Sequence, residues 1–172
     1  MPHASPLDAA PDTRPIVILD TNALLDWRVF KDPAAHPVAQ ALEAGSVRWL
    51  ASPDMEMEWH QVWPRRVFAR WQPDPMLTIP VFAHAEMVAE PPRGPLKCLD
   101  PDDQVFIDLA LHVGARWLFT KDAALLKLAK RAKLRGVQVI SLQKWVAQGA
   151  PWDAPPRGAM KPTSTRPTHE HR

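Results

Sequence analysis

Ile16-Val17-Ile18-Leu19-Asp20 is the stretch that decides the fold of this chain. Four consecutive apolar residues, three of them β-branched, are typical of a strand buried on both faces of a parallel sheet. The run ends in a carboxylate, Asp20, and parallel sheets form their sites beyond the carboxyl ends of strands. We therefore expect a parallel sheet with a polar site next to Asp20.

Apolar runs and helical patterns alternate after this strand. Pro64 should kink or divide the helix predicted over residues 53–71. Residues 81–90 are compatible with a further helix. The alternation predicts a three-layer α/β/α sandwich around a mostly parallel sheet, with right-handed crossovers. Further strands are predicted over residues 47–51, 117–119 and 137–140, and helices over residues 37–44, 53–71, 102–113, 123–135 and 141–148.

Composition indicates one domain. The 172 residues, 46% of them hydrophobic, suffice for a single core. Nine of the 20 prolines lie in residues 1–15 and 151–172, so we predict disordered tails over 1–14 and 149–172 around a domain over 15–148.

The chain also lacks the features of several other classes of protein. Cys98 is the single cysteine, which excludes an internal disulfide and a multi-cysteine zinc site. No stretch approaches the roughly 18 apolar residues of a membrane span, and the first residues lack the pattern of a secretory signal. We expect a soluble, cytoplasmic protein without a membrane partner.

Charge is distributed unevenly along the chain. Residues 1–120 hold 10 Lys and Arg against 16 Asp and Glu, whereas residues 121–172 hold 11 against 3. This pattern suits a metal site that handles a polyanion, because the metal offsets the carboxylates and the cations hold phosphates. A solvated basic helix is the alternative. The candidates for contact with the phosphates of such a polyanion are Arg65, Arg66, Arg70, Lys127, Lys130 and Arg131, followed by Lys133 and Arg135.

Four acids lie at strand ends or within the first turns of helices. They occur in the segments Val17-Ile18-Leu19-Asp20-Thr21-Asn22, Ser52-Pro53-Asp54-Met55-Glu56-Met57-Glu58, Leu99-Asp100-Pro101-Asp102-Asp103 and Thr120-Lys121-Asp122. In this order the segments resemble the four acidic elements of PIN domains. The resemblance spans residues 16–146 and is closest to bacterial PIN proteins related to toxin ribonucleases.

The resemblance implies a metal-dependent endoribonuclease. Its cofactor would be Mg²⁺ or Mn²⁺, which prefer carboxylate oxygens. By resemblance, Asp20 and Asp103 coordinate the metal directly, while Glu58 and Asp122 bind it directly or through water. RNA is the implied substrate, and the implied partners are an antitoxin protein, if the chain is a toxin, and a second copy of the chain. Supporting roles fall to Thr21, Asn22 and Thr120.

Each acid also has a purely structural interpretation. Asp20 could end a strand, and Glu58 could be a solvated helix residue. Asp103 and Asp122 could begin helices, where the macrodipole favours acids. Asn22 equally suits a tight turn. Solvent exposure is predicted for Asp26 and Asp108, and core or dimer packing rather than base stacking is predicted for the tryptophans.

Two other classes of function remain open. A haloacid-dehalogenase-like phosphatase would use Asp20 as a nucleophile, but that fold requires a second Asp where this chain has Asn22. The other class is an inactive PIN-fold module that binds RNA or a partner protein. The presence of all four acids argues against it.

Overall fold

The computed structural model describes residues 10–62 and 80–152. Within these ranges the sheet has five strands, all parallel, and this confirms the predicted α/β fold. The strands are β1 (Ile16–Leu19), β2 (Arg48–Ala51), β3 (Ala85–Met87), β4 (Trp117–Phe119) and β5 (Gln138–Ile140). Their order across the sheet is β3-β2-β1-β4-β5.

Seven α-helices are present in the described ranges. They are α1 (Thr21–Arg28), α2 (His36–Glu43), α3 (Pro53–Val62), α4 (Gln104–His112), α5 (Ala123–Leu126), α6 (Ala129–Lys133) and α7 (Leu142–Ala147). Short 3-10 helices cover Pro33–Ala35, Val81–His84 and Pro101–Asp103. No helix in this part of the chain is long and apolar enough to cross a membrane.

The strand order reverses at β1, and this reversal determines where the site lies. β1 pairs with β2 on one side and with β4 on the other. Because parallel crossovers are right-handed, the connections on the two sides of β1 run over opposite faces of the sheet. They leave a crevice outside the carboxyl ends of β1 and β4, where open α/β sheets bind ligands.

Tryptophans pack in the core, as predicted. Trp49, Trp117 and Trp145 are almost fully buried. Trp152 packs edge-on against Trp145, with ring centroids 4.5 Å apart. Packing therefore continues past residue 148, the predicted end of the domain. Residues 1–9 and 153–172, which make up most of the tails predicted over 1–14 and 149–172, lie outside the described residues, as do Pro64 with its predicted kink, Trp63 and Trp71.

The helix predicted over residues 81–90 is wrong. The chain instead forms a 3-10 turn and then the edge strand β3, which pairs with β2. The Glu86 carboxylate also accepts two hydrogen bonds from the Arg48 guanidinium, at 2.7 and 3.0 Å. These contacts with a distant strand outweigh local propensity, which is a weak determinant in so short a segment.

Two other helices differ from the prediction. The single helix expected over residues 123–135 is divided into α5 and α6, because the Leu128 N–H bonds the Leu125 carbonyl in a tight turn that buries both leucines. α1 is absent from the predicted elements. It is short, and its start depends on the capping side chain of Asp20.

A buried polar network ties the segment before α4 to that helix. The Gln104 amide donates to the Leu96 carbonyl and to Asp108, both at 2.8 Å, and its oxygen accepts the Cys98 N–H at 2.7 Å. Asp108 also accepts the Gly94 N–H at 2.9 Å. Asp108 is therefore buried, and its predicted exposure is wrong.

Replacing Gln104 with Ala should lower the free energy of unfolding by about 2 to 4 kcal/mol, since a buried N–H and a buried carbonyl would lose their partners. Urea unfolding measures the loss. Gln61→Ala, at an exposed position of α3, is the matched control and should change stability little. Equal losses in both variants would contradict the role of the network.

Candidate active site

Asp20 lies directly after β1 and begins α1. Its Oδ1 accepts the Ala23 N–H at 2.7 Å, and its Oδ2 accepts the Thr120 hydroxyl. The residue is only 3% exposed. The pKa of Asp20 is raised to about 7, chiefly by burial and secondarily by the charges of Asp122 and Glu58, against the lowering effect of its two hydrogen bonds. Capping is thus one role of Asp20, but it does not account for the neighbouring acids.

Thr120 joins Asp20 to Asp122. It follows β4, the strand beside β1, and its hydroxyl donates to Asp20 and accepts the Asp122 N–H at 2.9 Å. The Asp122 Oδ1 accepts the N–H groups of Ala124 and Leu125 at 2.8 and 3.2 Å and so caps α5. Two adjacent strands thus bring Asp20 and Asp122 to the same edge of the sheet.

Glu58 approaches this edge from α3. Its carboxylate accepts a hydrogen bond from the buried Thr21, and its pKa is raised above the ordinary value, first by burial. Glu56 instead lies 3.8 Å from His60, one turn along the helix. The half-buried position of Glu58 does not fit a solvated helix residue.

Asp103 precedes α4 and makes no capping hydrogen bond with its side chain. Asp100 caps the preceding 3-10 turn, because its carboxylate accepts the Asp102 N–H at 3.0 Å. The pKa of Asp103 is raised to about 7, first by partial burial and then by the charge of Asp122 and a hydrogen bond with its carboxyl group. Helix capping therefore does not explain Asp103.

Three of the four acids are connected through Thr120 and through each other. Asp20 and Asp122 are both bonded to Thr120, and the carboxyl group of Asp103 lies within hydrogen-bonding reach of that of Asp122. Within residues 10–62 and 80–152, no three Asp, Glu, His or Cys side chains are arranged so that they could hold a metal ion. Coordination by three or more of these acids would require side-chain movement.

A family model of the PIN domain matches residues 16–124, more than half of the chain. The chain belongs to the PIN domain family. The matched range contains Asp20, Glu58, Asp103 and Asp122, together with Thr21, Asn22 and Thr120. A search of curated proteins found no match. PIN domains are generally nucleases that use divalent metal ions.

The donor atoms of this PIN domain fit such an ion. The groups at the edge of the sheet are carboxylate and hydroxyl oxygens, which suit Mg²⁺ and Mn²⁺. Mg²⁺ usually keeps several waters and binds through one or two carboxylates, so it does not require three converging side chains. Burial raises the pKa values of Asp20 and Asp103, and the charges of the neighbouring acids raise them further, as expected for acids that lie together without a counter-charge.

The environments of Ser52 and Glu90, at the start of α3, were not evident from the sequence. Ser52 directly precedes α3, where a serine commonly caps a helix, but its buried hydroxyl has no hydrogen-bond partner among the described residues. The Asp54 N–H in the first turn is instead bonded by the Glu90 carboxylate at 2.7 Å. Ser52 follows β2 in the sheet as Asp20 follows β1, and no local pattern marks its hydroxyl as unpaired.

The remaining candidates of the PIN domain are less closely connected with the acids. Asn22 is exposed in the first turn of α1, not in a tight turn. The cationic candidates Lys127, Lys130 and Arg131 are exposed in the segment that begins with α5. Arg65, Arg66 and Arg70 lie outside the described residues.

Replacing Thr120 with Val should weaken Mn²⁺ binding about tenfold or more, as is usual when a residue that orients a metal ligand is removed. The variant leaves the Asp20 carboxylate buried without its hydroxyl donor, and the Asp122 N–H without its acceptor. Calorimetric titration with Mn²⁺ measures the change. Thr120→Ser keeps the hydroxyl and should bind like the wild type; equal weakening in both variants would show that the methyl group, not the hydrogen bonds, matters.

Proposed function

We propose that this PIN domain is a metal-dependent endoribonuclease in which Asp20, Glu58, Asp103 and Asp122 hold Mg²⁺ or Mn²⁺. The proposal rests mainly on the Asp103–Asp122 pair. Neither Asp103 oxygen caps a helix, yet the carboxyl group is kept against that of Asp122. Such an arrangement costs stability unless a cation offsets the charges.

The residues of the site have different roles in the proposed reaction. A bound divalent cation lowers the pKa of water and neutralises charge on the phosphodiester transition state. Asp103 and Asp122, whose carboxyl groups lie side by side, would hold such a cation. Thr120 and the Ala23 N–H fix the Asp20 oxygens. Glu58, oriented by Thr21, has a raised pKa that suits it to accept a proton from the attacking water.

RNA is the proposed substrate because cations follow the acidic edge directly in the chain. α5 begins at Asp122, and the exposed side chains of Lys127, Lys130 and Arg131 come next along α5 and α6. Cations near a carboxylate-held metal attract a phosphate backbone. Cytoplasmic location is part of the same proposal.

Replacing Lys130 and Arg131 together with Ala should raise KM for RNA several-fold with little change in kcat. The variant should also reduce the slope of binding affinity against salt concentration by about 2, one for each phosphate contact removed. Fluorescence anisotropy with a labelled single-stranded RNA measures the slope. Arg93→Ala, which removes an exposed cation beside the end of α4, should leave the slope unchanged. An unchanged slope in the double variant would place the RNA elsewhere.

We also propose that the protein is a toxin and that an antitoxin protein binds it. A groove of about 370 Å³ between α3 and α4 is lined by acidic residues, including Glu58 and Asp102, and by the apolar Met57 and Val105. A basic, apolar segment of an antitoxin would fit this groove and cover Glu58. A homodimer is also proposed.

The test of the function is cleavage of a labelled RNA by the purified protein. Cleavage should require Mg²⁺ or Mn²⁺, stop with EDTA, and leave a 5′-phosphate and a 3′-hydroxyl. Loss of cleavage in Asp20→Asn would assign it to this site rather than to a contaminant. Binding of RNA without cleavage by the wild type, across varied sequences and both metals, would instead support an inactive RNA-binding module.

A phosphatase acting through Asp20 is not favoured. That fold requires a second Asp two residues after the nucleophile, and this chain has Asn22 there. The family match agrees with this conclusion.

A further inference from the structure

A second carboxylate of α1, Asp26, is buried beside the segment that carries Thr120 and Asp122. Asp26 is only 2% exposed, so the prediction that it is solvated is wrong. Its Oδ1 accepts a hydrogen bond from the Lys121 ammonium at 2.8 Å, and its Oδ2 accepts the Gln143 amide at 3.0 Å. A carboxylate buried to this degree depends on such partners.

Lys121 occupies the position between the two residues that reach the acids. Thr120 bonds Asp20, and Asp122 bonds Asp103. The 120–122 segment is therefore attached to α1 at two points, through Asp20 and through Asp26. These acids are six residues apart in sequence, or about 9 Å along a helix axis. Two attachments at this separation fix the orientation of the segment as well as its position.

Gln143 on α7 extends the network to a third part of the fold. Its amide nitrogen donates to Asp26 and also to Asp32 at 2.9 Å, and Asp32 caps the 3-10 turn that follows α1. The pKa of Asp32 is lowered, first by the Ala34 N–H and then by Gln143. α1, α7 and the 120–122 segment are thus connected through side chains.

We propose that Asp26, Lys121 and Gln143 are positioning residues, which hold the 120–122 segment so that Thr120 faces Asp20 and Asp122 faces Asp103. The ion pair also keeps the Lys121 ammonium on Asp26, away from the neighbouring Asp122, where it would compete with a metal cation. This inference rests on the proposed function. It assigns a role to Lys121, whose neighbours in the chain, Thr120 and Asp122, contact Asp20 and Asp103.

The experiment compares Lys121→Met with Lys121→Arg. Calorimetry measures Mn²⁺ affinity at a temperature where each variant is folded, and hydrogen exchange follows the amides of Asp122 and Ala124, which are bonded to Thr120 and Asp122. Lys121→Met should weaken Mn²⁺ binding about tenfold and accelerate exchange at both amides. Lys121→Arg keeps the ion pair and should preserve both properties.

A purely structural ion pair gives a different result. In that case Lys121→Met lowers the melting temperature but leaves Mn²⁺ affinity and the two exchange rates unchanged, which would overturn the proposal. If Lys121→Met does not fold, Gln143→Ala is the second variant; it keeps the ion pair and removes the hydrogen bonds to Asp26 and Asp32. It should give the same two effects at smaller size, and unchanged values there would overturn the proposal equally.

The exchange measurement separates this inference from the proposed function. If the wild type binds no Mn²⁺, the metal site is refuted, but faster exchange in Lys121→Met would still establish that the ion pair positions the segment. If the wild type binds Mn²⁺ and Lys121→Met does so equally well, the metal site stands and the positioning role is refuted.

Discussion

Replacing Asp103 with Asn is expected to reduce RNA cleavage by at least about a hundredfold, the usual loss when a preorganised transition-state interaction is removed. The same change should stabilise the metal-free protein. The amide introduced by Asp103→Asn is neutral at every pH. It therefore removes both the cost of burying a charge and the repulsion by Asp122, the two effects that raise the pKa of Asp103 to about 7. Few structural substitutions combine loss of activity with gain of stability.

Cleavage rates measured with Mg²⁺ test the first part of this prediction, and melting temperatures measured in EDTA test the second. Asp102→Asn is the matched control, since it removes the same charge from the adjacent, exposed residue; it should change the rate less than about threefold. Comparable losses in both variants would point to the general field of the acidic segment. Near-normal cleavage by Asp103→Asn would show that Asp103 is not part of the active site.

The metal-free protein is expected to lose stability as the pH rises from about 4 to about 7. Burial raises the pKa of Asp20 to about 7 in the folded state, against an ordinary value of 3.8, so between these values the folded protein binds more protons than the unfolded chain. Its stabilising contribution is complete below pH 4 and is lost as the pH rises through 7. At about 1.4 kcal/mol per pKa unit, the loss from Asp20 is about 4 kcal/mol, and the partly exposed Asp103 adds less because of solvent screening.

Urea unfolding in EDTA, at several pH values from about 4.5 to about 8.5, checks this dependence. Asp20→Asn should flatten the profile. Mn²⁺ should restore stability at the high end, by about 2.7 kcal/mol at about a hundred times its Kd. Stability that rises with pH in EDTA would show that Asp20 is ionised in the folded protein at no cost.

The positions of the acids along the chain were predictable from sequence. An apolar run followed by Asp20 identifies a strand end, and Thr120 and Asp122 follow the strand predicted over residues 117–119. Their capping hydrogen bonds reach only two or three residues along the chain, which is the range that local patterns describe. The metal, the RNA substrate and the partners stay predictions.

Other features depended on contacts that no local pattern records. β3 was mistaken for a helix because three residues are too few to show a period, and pairing with β2 decides their conformation. Asp26 was expected in solvent because its partners, Lys121 and Gln143, lie 95 and 117 residues away. A charged residue is usually exposed, so only the folded contacts reveal the exception.

The sequence by itself determined the parallel α/β class, the order of the four acidic elements and the carboxyl edge of the sheet as their meeting place. Tertiary structure decided which acids meet. The reversal of strand order at β1 brings Asp122 beside Asp20, and Asp100 caps the turn before α4 so that Asp103 is left to pair with Asp122. The physical reason is range: periodicity and capping act within a few residues, whereas burial and the pairing of charges depend on segments that only the folded chain brings together.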